Sequence, residues 1–214
     1  MMLRATSYCG YGYAAMTSNA PLQLLVSIAA TLDELQQPFA LVGGLAVSIR
    51  AEVRFTRYVD LAISTTTDSE TENLVYRLRA KRYVVAAIVE QEATHRMATV
   101  RLNSPAGTIV DLLAASCGIE AEIVARADKI PIGDSLIAVA RAEELVAMKV
   151  LSSSKKRKQD IIDAIALLEC NAGLDLMTVE ANLALIQARG FHRQQNLQAK
   201  FEAILLEWRS TNET

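Results

Sequence analysis

F-A-L-V-G-G-L-A-V-S-I-R-A-E-V-R-F-T-R-Y-V-D-L-A-I, running from Phe39 to Ile63, decides the reading of this chain. Phe39 to Val42 is a short apolar run ended by two glycines, which suits a buried strand turning sharply. Leu45 to Ala51 has a small-residue helical pattern. From Phe55 to Ile63 the spacing changes to period two, with Phe55, Val59, Leu61 and Ile63 on one face and Thr56, Tyr58, Asp60 and Ala62 on the other. A strand, a Gly-Gly turn, a helix and a second strand bearing the carboxylate Asp60 therefore form the centre of the fold.

Elements of other kinds flank this centre. Pro21 opens a helix whose Leu22, Leu24, Leu25, Ile28 and Leu32 recur at helical spacing to about Gln36, where Pro38 stops it. Ser69 with Glu72 reads as a capping box, and Leu74, Val75 and Leu78 as the buried stripe of the helix that follows, closed by Arg79 to Arg82. Tyr83 to Val89, Met97 to Leu102 and Thr108 to Ala114 read as three strands, the last two joined by a turn with Asn103, Pro105 and Gly107. Beyond Cys117 the pattern is mostly helical: 119–127, 143–152, 160–168, 178–188 and 195–208, with Ser135 to Val139 as a short strand. The expectation is an α/β (α+β) chain with a small mixed sheet flanked by helices and a helical C-terminal region. Its parts are a disordered leader over 1–20, with Met16 an alternative start, a core over 21–140 and helices over 141–214.

Composition narrows the function. With 214 residues, 51% hydrophobic and 21% charged, the chain can bury a substantial core. A formal charge of -2 gives no overall basic signature, so any nucleic-acid contact is local. Cys9, Cys117 and Cys170 are far apart and odd in number, which suits reduced thiols in the cytoplasm. No run approaches the roughly 18 apolar residues of a membrane span, and the first residues lack a secretory apolar stretch. His95 and His192 have no partners at zinc-ligand spacing, and no G-x-S-x-G elbow is present.

Two features bear on chemistry. A strand turning through Gly43-Gly44 into a helix presents backbone N–H groups and the positive end of a helix dipole, which suits phosphate, although such a pair is also an ordinary tight turn. Asp111, in the otherwise apolar run Ile109 to Ala115, supplies a second carboxylate beside Asp60; paired strand carboxylates are the usual all-oxygen site for Mg²⁺.

Taken together, V-G-G-L-A, R-F-T-R-x-V-D-L-A-I, V-D-L-L, A-E-E-L-V-A-M-K and K-x-x-D-x-x-D resemble the AbiEii-type, MenT-like nucleotidyltransferase toxins of the DNA polymerase β-like superfamily. The likeness covers about Pro38 to Leu168. It implies Mg²⁺-dependent transfer of a nucleotide from a nucleoside triphosphate (NTP) to an acceptor, by resemblance the 3′ end of tRNA, and a companion antitoxin. Gly43 and Gly44 would cradle the triphosphate, Asp60 and Asp111 would hold metal, and Lys149 would pair with phosphate. Asp160 would position or deprotonate the acceptor, Asp163 would be structural, and Arg54 and Thr56 match the R-x-T before the carboxylate strand. The basic run Lys155, Lys156, Arg157 and Lys158 reads either as a solvated loop or as a guide for an RNA backbone.

Tyr58 departs from the pattern, standing where the first Asp of D-x-D is expected. A phenol, with an ordinary pKa of about 10, is neutral at pH 7 and a poor ligand for a hard cation. Two readings follow: an enzyme impaired by a single replacement, or a non-catalytic relative that binds nucleotide or a partner.

Overall fold

A computed structural model describes residues 20–52 and 56–212 of the chain. The expected leader lies outside them except for Ala20, and so does Arg54. The helix α1, Ala20–Glu34, buries Leu22, Leu25, Ile28 and Leu32 on one stripe, and ends where Gln36 takes a positive φ of 55° ahead of Pro38. Strand β1, Phe39–Val42, is buried at every position and runs into α2, Gly43–Arg50. Strand β2 is Val59–Ile63. The longer strand expected from Phe55 is thus corrected: Thr56, Arg57 and Tyr58 are coil, because ladder pairing with β1 begins only at Asp60, opposite Val42.

The helix α3, Asp68–Ala80, begins two residues earlier than the expected box implied. Thr67 is its N-cap, accepting from the Glu70 backbone N–H at 3.2 Å, and the Glu70 carboxylate accepts from the Thr66 backbone N–H at 2.6 Å. Ser69 therefore lies within the first turn, and the Ser69–Glu72 box is replaced by one around Thr67. Strands β3 (Val84–Glu90), β4 (Met97–Asn103) and β5 (Ile109–Leu113) follow as an antiparallel meander. After α4, Glu120–Arg126, the strands β6 (Asp128–Ile132) and β7 (Ser135–Val139) form a hairpin turning at Gly133, φ 59°. The strand β6 has no clear sequence signal: it is an edge strand of five residues carrying Pro131, whose ring nitrogen has no hydrogen to donate to a ladder.

All seven strands join one mixed sheet in the order β3-β4-β5-β2-β1-β7-β6. The strand β2 lies antiparallel to β1 and parallel to β5, and β7 lies parallel to β1. The helices α5 (Ala142–Ser152), α6 (Gln159–Cys170), α7 (Leu176–Ala188) and α8 (Leu197–Asn212) close the chain. Val146, Val150, Leu167, Ile186, Leu197 and Phe201 sit at zero exposure in a core continuous with the sheet. Burying each such side chain contributes roughly 1.5–3 kcal/mol, which makes the C-terminal helices part of one hydrophobic unit with the strands. No helix among the described residues is long and apolar enough to cross a membrane.

Candidate active site

Register places the chemistry. Asp60 on β2 pairs with Asp111 on β5, and Asp111 pairs with Arg101 on β4. Directly paired residues project from the same face, so three charged side chains stand in a row across three strands. Gly43 follows β1 next to Asp60, and only a glycine fits there. Its φ is +67°, and a Cβ would lie 2.0 Å from Asp60 Oδ2. The turn directs the start of α2 at the Asp60 carboxylate. Val42, its N-cap, provides no side-chain acceptor, and the Gly44 N–H bonds to Asp60 instead.

This row forms the floor of an open cavity of about 750 Å³. Gly43, Gly44, Thr56, Tyr58, Asp60, Asp111, Lys149 and Asp160 all line it, so the residues singled out in the sequence converge in one place. Lys156, Arg157 and Lys158 line it too, whereas Lys155 does not. Thr56 donates its hydroxyl to the Tyr58 carbonyl at 3.3 Å. Arg54 lies outside the described residues.

Lys149 is only 8% exposed, with its ammonium 2.9 Å from Asp160 Oδ1 and 2.7 Å from Asp163 Oδ2. Asp163 also accepts from Gln159 Nε2 at 3.0 Å, in keeping with a structural role. Arg157 Nε reaches the other oxygen of Asp160 at 2.8 Å. Lys149 is thus already held between two buried carboxylates, with one face on the cavity.

Three cavity-lining cations, Arg57, Arg101 and Arg193, had gone unrecognised in the sequence. Arg101 grips Asp111 with both arms, Nε to Oδ1 at 2.8 Å and Nη2 to Oδ2 at 2.6 Å. Its guanidinium carbon lies 5.1 Å from the centroid of the Tyr58 ring, within cation–π range. The hydrogen bonds to Asp111 hold the guanidinium above the usual arginine range. Arg193 comes from the α7–α8 connection, where both it and Gln194 take positive φ. That connection is latched to the loop after β5: Arg193 Nη2 donates to the Ser116 carbonyl at 3.3 Å, Arg189 to the Gly118 carbonyl, and Phe191 packs where a Cβ on Gly118 would stand. The Glu120 carboxylate fixes the loop, accepting from the backbone N–H groups of Ser116, Cys117 and Gly118 at 2.6, 2.7 and 2.9 Å. Burial and then Arg157 hold the Arg193 guanidinium below its usual range.

The Asp60 carboxyl is pushed up from 3.8 to about 6, first by burial and then by Asp111, against the pull of Lys149, Arg101 and the Gly44 N–H. Asp60 and Asp111 had been expected to hold Mg²⁺, and the donor set does not fit that ion. Both Asp111 oxygens are engaged by Arg101, burial and Asp111 make the Asp60 charge costly, and the third position is a phenol. Among the described residues no three His, Cys, Asp or Glu side chains gather as metal ligands.

Residues 23–213 match the family described as nucleotidyl transferase AbiEii toxin, type IV TA system. The chain belongs to this family. Among solved structures, the solution structure of the antibiotic-resistance factor ANT(2'')-Ia is similar at 16% identity and a TM-score of 0.50, covering 78% of this chain and 91% of that one. An antigenic nucleotidyltransferase-like protein from Paracoccidioides brasiliensis is similar at 21% identity and a TM-score of 0.48, covering 87% and 94%. No curated protein sequence matches the chain. At such identities the likeness to ANT(2'')-Ia establishes a shared fold, and the family match carries nucleotide transfer as the family's activity.

Proposed function

We propose that this chain binds an NTP in the cavity above β2 and β5 and is a nucleotidyltransferase whose transfer step is strongly impaired by Tyr58. The observation that carries the reading is the convergence of the Gly43-Gly44 turn, Asp60, Asp111, Lys149 and Asp160 on one cavity in a chain of this family. The positive end of α2 at the Gly43-Gly44 turn suits the phosphates. In a transfer reaction an acceptor hydroxyl oxygen attacks the α-phosphorus and pyrophosphate leaves. A carboxylate must take the hydroxyl proton. Asp60, at about 6, suits that role better than Asp160, which Lys149 and Arg157 hold between them.

The acceptor in this reading is the 3′ end of a tRNA, drawn in by Lys156, Arg157 and Lys158 at the cavity wall. The setting is the cytoplasm, with a companion antitoxin, and the region from residue 141 onward supplies Lys149, Asp160 and Arg193 to a site built on the core. Mg²⁺ enters only if the missing carboxylate is restored. Tyr58→Asp, assayed with each labelled NTP, total tRNA and Mg²⁺, labels the acceptor at least about 100-fold faster than the present chain, the order of effect of one strong charge-stabilising group. No gain with any nucleotide would refute the impaired-enzyme reading.

The Arg101–Asp111 pair, packed beside Tyr58, favours a second reading, a module that binds nucleotide without transferring it. Nucleotide binding by the present chain, with no labelling by Tyr58→Asp, is its signature.

A further inference from the structure

We infer that this chain takes up the triphosphate of its nucleotide without a divalent cation, with Arg101 supplying the positive charge at the position a metal would serve. The inference rests on the nucleotide-binding reading above. It begins from register: Arg101, Asp111 and Asp60 are successive partners across β4, β5 and β2, so the guanidinium stands at the carboxylate row itself. Asp111 is 9% exposed at its side chain, and Arg101, at 40%, faces the cavity.

A guanidinium carries five N–H donors in a planar fork. Asp111 takes one from Nε and one from Nη2, which leaves the Nη1 pair and the second Nη2 hydrogen for a ligand. A planar fork with three remaining donors matches two phosphate oxygens, and a carboxylate behind it fixes its orientation beforehand. Tyr58 supports the same arrangement from the ring side, holding the guanidinium at 5.1 Å. The residue that removes a metal ligand is thereby also the residue that seats the replacement charge.

Charge balance points the same way. Seven Lys and Arg side chains and three carboxylates line the cavity, an excess of four positive charges, in a chain whose formal charge is -2. Cations beyond those needed to neutralise the local carboxylates are costly to gather unless a polyanion neutralises them. Burial, and then the neighbouring Arg157, already lower the Arg193 guanidinium from its usual range at this wall of the cavity. A triphosphate free of metal carries more negative charge than its Mg²⁺ complex and is the better complement to such a lining.

The test is titration calorimetry of the full chain with ATP, GTP, CTP and UTP, each with excess Mg²⁺ and each with EDTA. For the nucleotide that binds, Kd in EDTA stays within about twofold of its value in Mg²⁺, and Arg101→Gln weakens binding in EDTA by about tenfold or more. Because Arg101→Gln strands the Asp111 charge, the paired variant Arg101→Gln with Asp111→Asn is measured beside it, and shows the same loss with thermal unfolding close to that of the parent. Tyr58→Asp shifts the preference toward the Mg²⁺ complex. Binding that requires Mg²⁺, or that is indifferent to Arg101, overturns the inference and leaves the nucleotide reading standing. Failure of all four nucleotides in both media removes the nucleotide reading itself.

Discussion

Asp60→Asn should stabilise the protein near neutral pH and leave it unchanged in acid. In the folded chain the Asp60 carboxyl titrates at about 6, against 3.8 for the free side chain, because burial and Asp111 disfavour its charge more than Lys149, Arg101 and the Gly44 N–H favour it. A raised carboxyl pKa means that the folded state holds the proton more tightly than the unfolded state. Stability is therefore lost as pH rises from about 4 to about 6, and the loss is complete above that. At 1.36 kcal/mol per pKa unit, the span from 3.8 to about 6 corresponds to at most about 3 kcal/mol. Asparagine is neutral throughout and keeps an oxygen for the Gly44 N–H, so the variant lacks this slope. Urea unfolding in metal-free buffer from pH 4.5 to pH 7.5 measures the difference. It should grow from about 1 kcal/mol at pH 4.5 to about 3 kcal/mol at pH 7.5. A difference that is constant with pH, or of opposite sign at pH 7.5, would refute the placement of Asp60 as a buried charge beside Asp111.

Lys149→Met leaves Asp160 and Asp163, 4% and 2% exposed, without their shared ammonium, and should cost about 3–5 kcal/mol in denaturant unfolding, partly recovered by adding Asp163→Asn. Gly43→Ala places a Cβ on Asp60 Oδ2 at a left-handed backbone position, so a loss of at least about 1–2 kcal/mol is expected, together with weaker nucleotide binding; parental stability would contradict the turn. Phe201→Ala, in a fully buried side chain of α8, should cost about 3–5 kcal/mol by the same measurement, whereas a small effect would mean that the C-terminal helix is not part of the core.

Most of the strands and helices were legible because each carries its own period. The alternation at Val59 to Ile63, the apolar run before Gly43 and the leucine stripe of α1 are local signals. One error came from local signals that compete, and one omission from a strand that only its partners hold. Ser69 and Glu72 have the right spacing for a box, yet Thr67 captures the helix start because Glu70 returns to the Thr66 N–H. The β6 strand is stabilised by the β7 ladder and held to α2 by Arg50, which donates to Asp128 at 2.8 Å and to the Ala140 carbonyl at 3.0 Å; none of this shows in D-K-I-P-I alone. Arg101 was readable in principle. A turn between Asn103 and Ile109 sets it opposite Asp111, and only the pairing of β4 with β5 had to be assumed.

The sequence by itself determined the family, the Gly43 turn, the carboxylates and the departure at Tyr58, because these are matters of residue type and short spacing. The tertiary structure alone decided how their charges are balanced. It brought Arg101 onto Asp111 and beside Tyr58, closed Lys149 between Asp160 and Asp163, and carried Arg193 to the cavity from a distant loop. Electrostatic energy depends on distances of a few ångströms and on burial, and those are set by sheet register and helix packing between segments far apart in the chain.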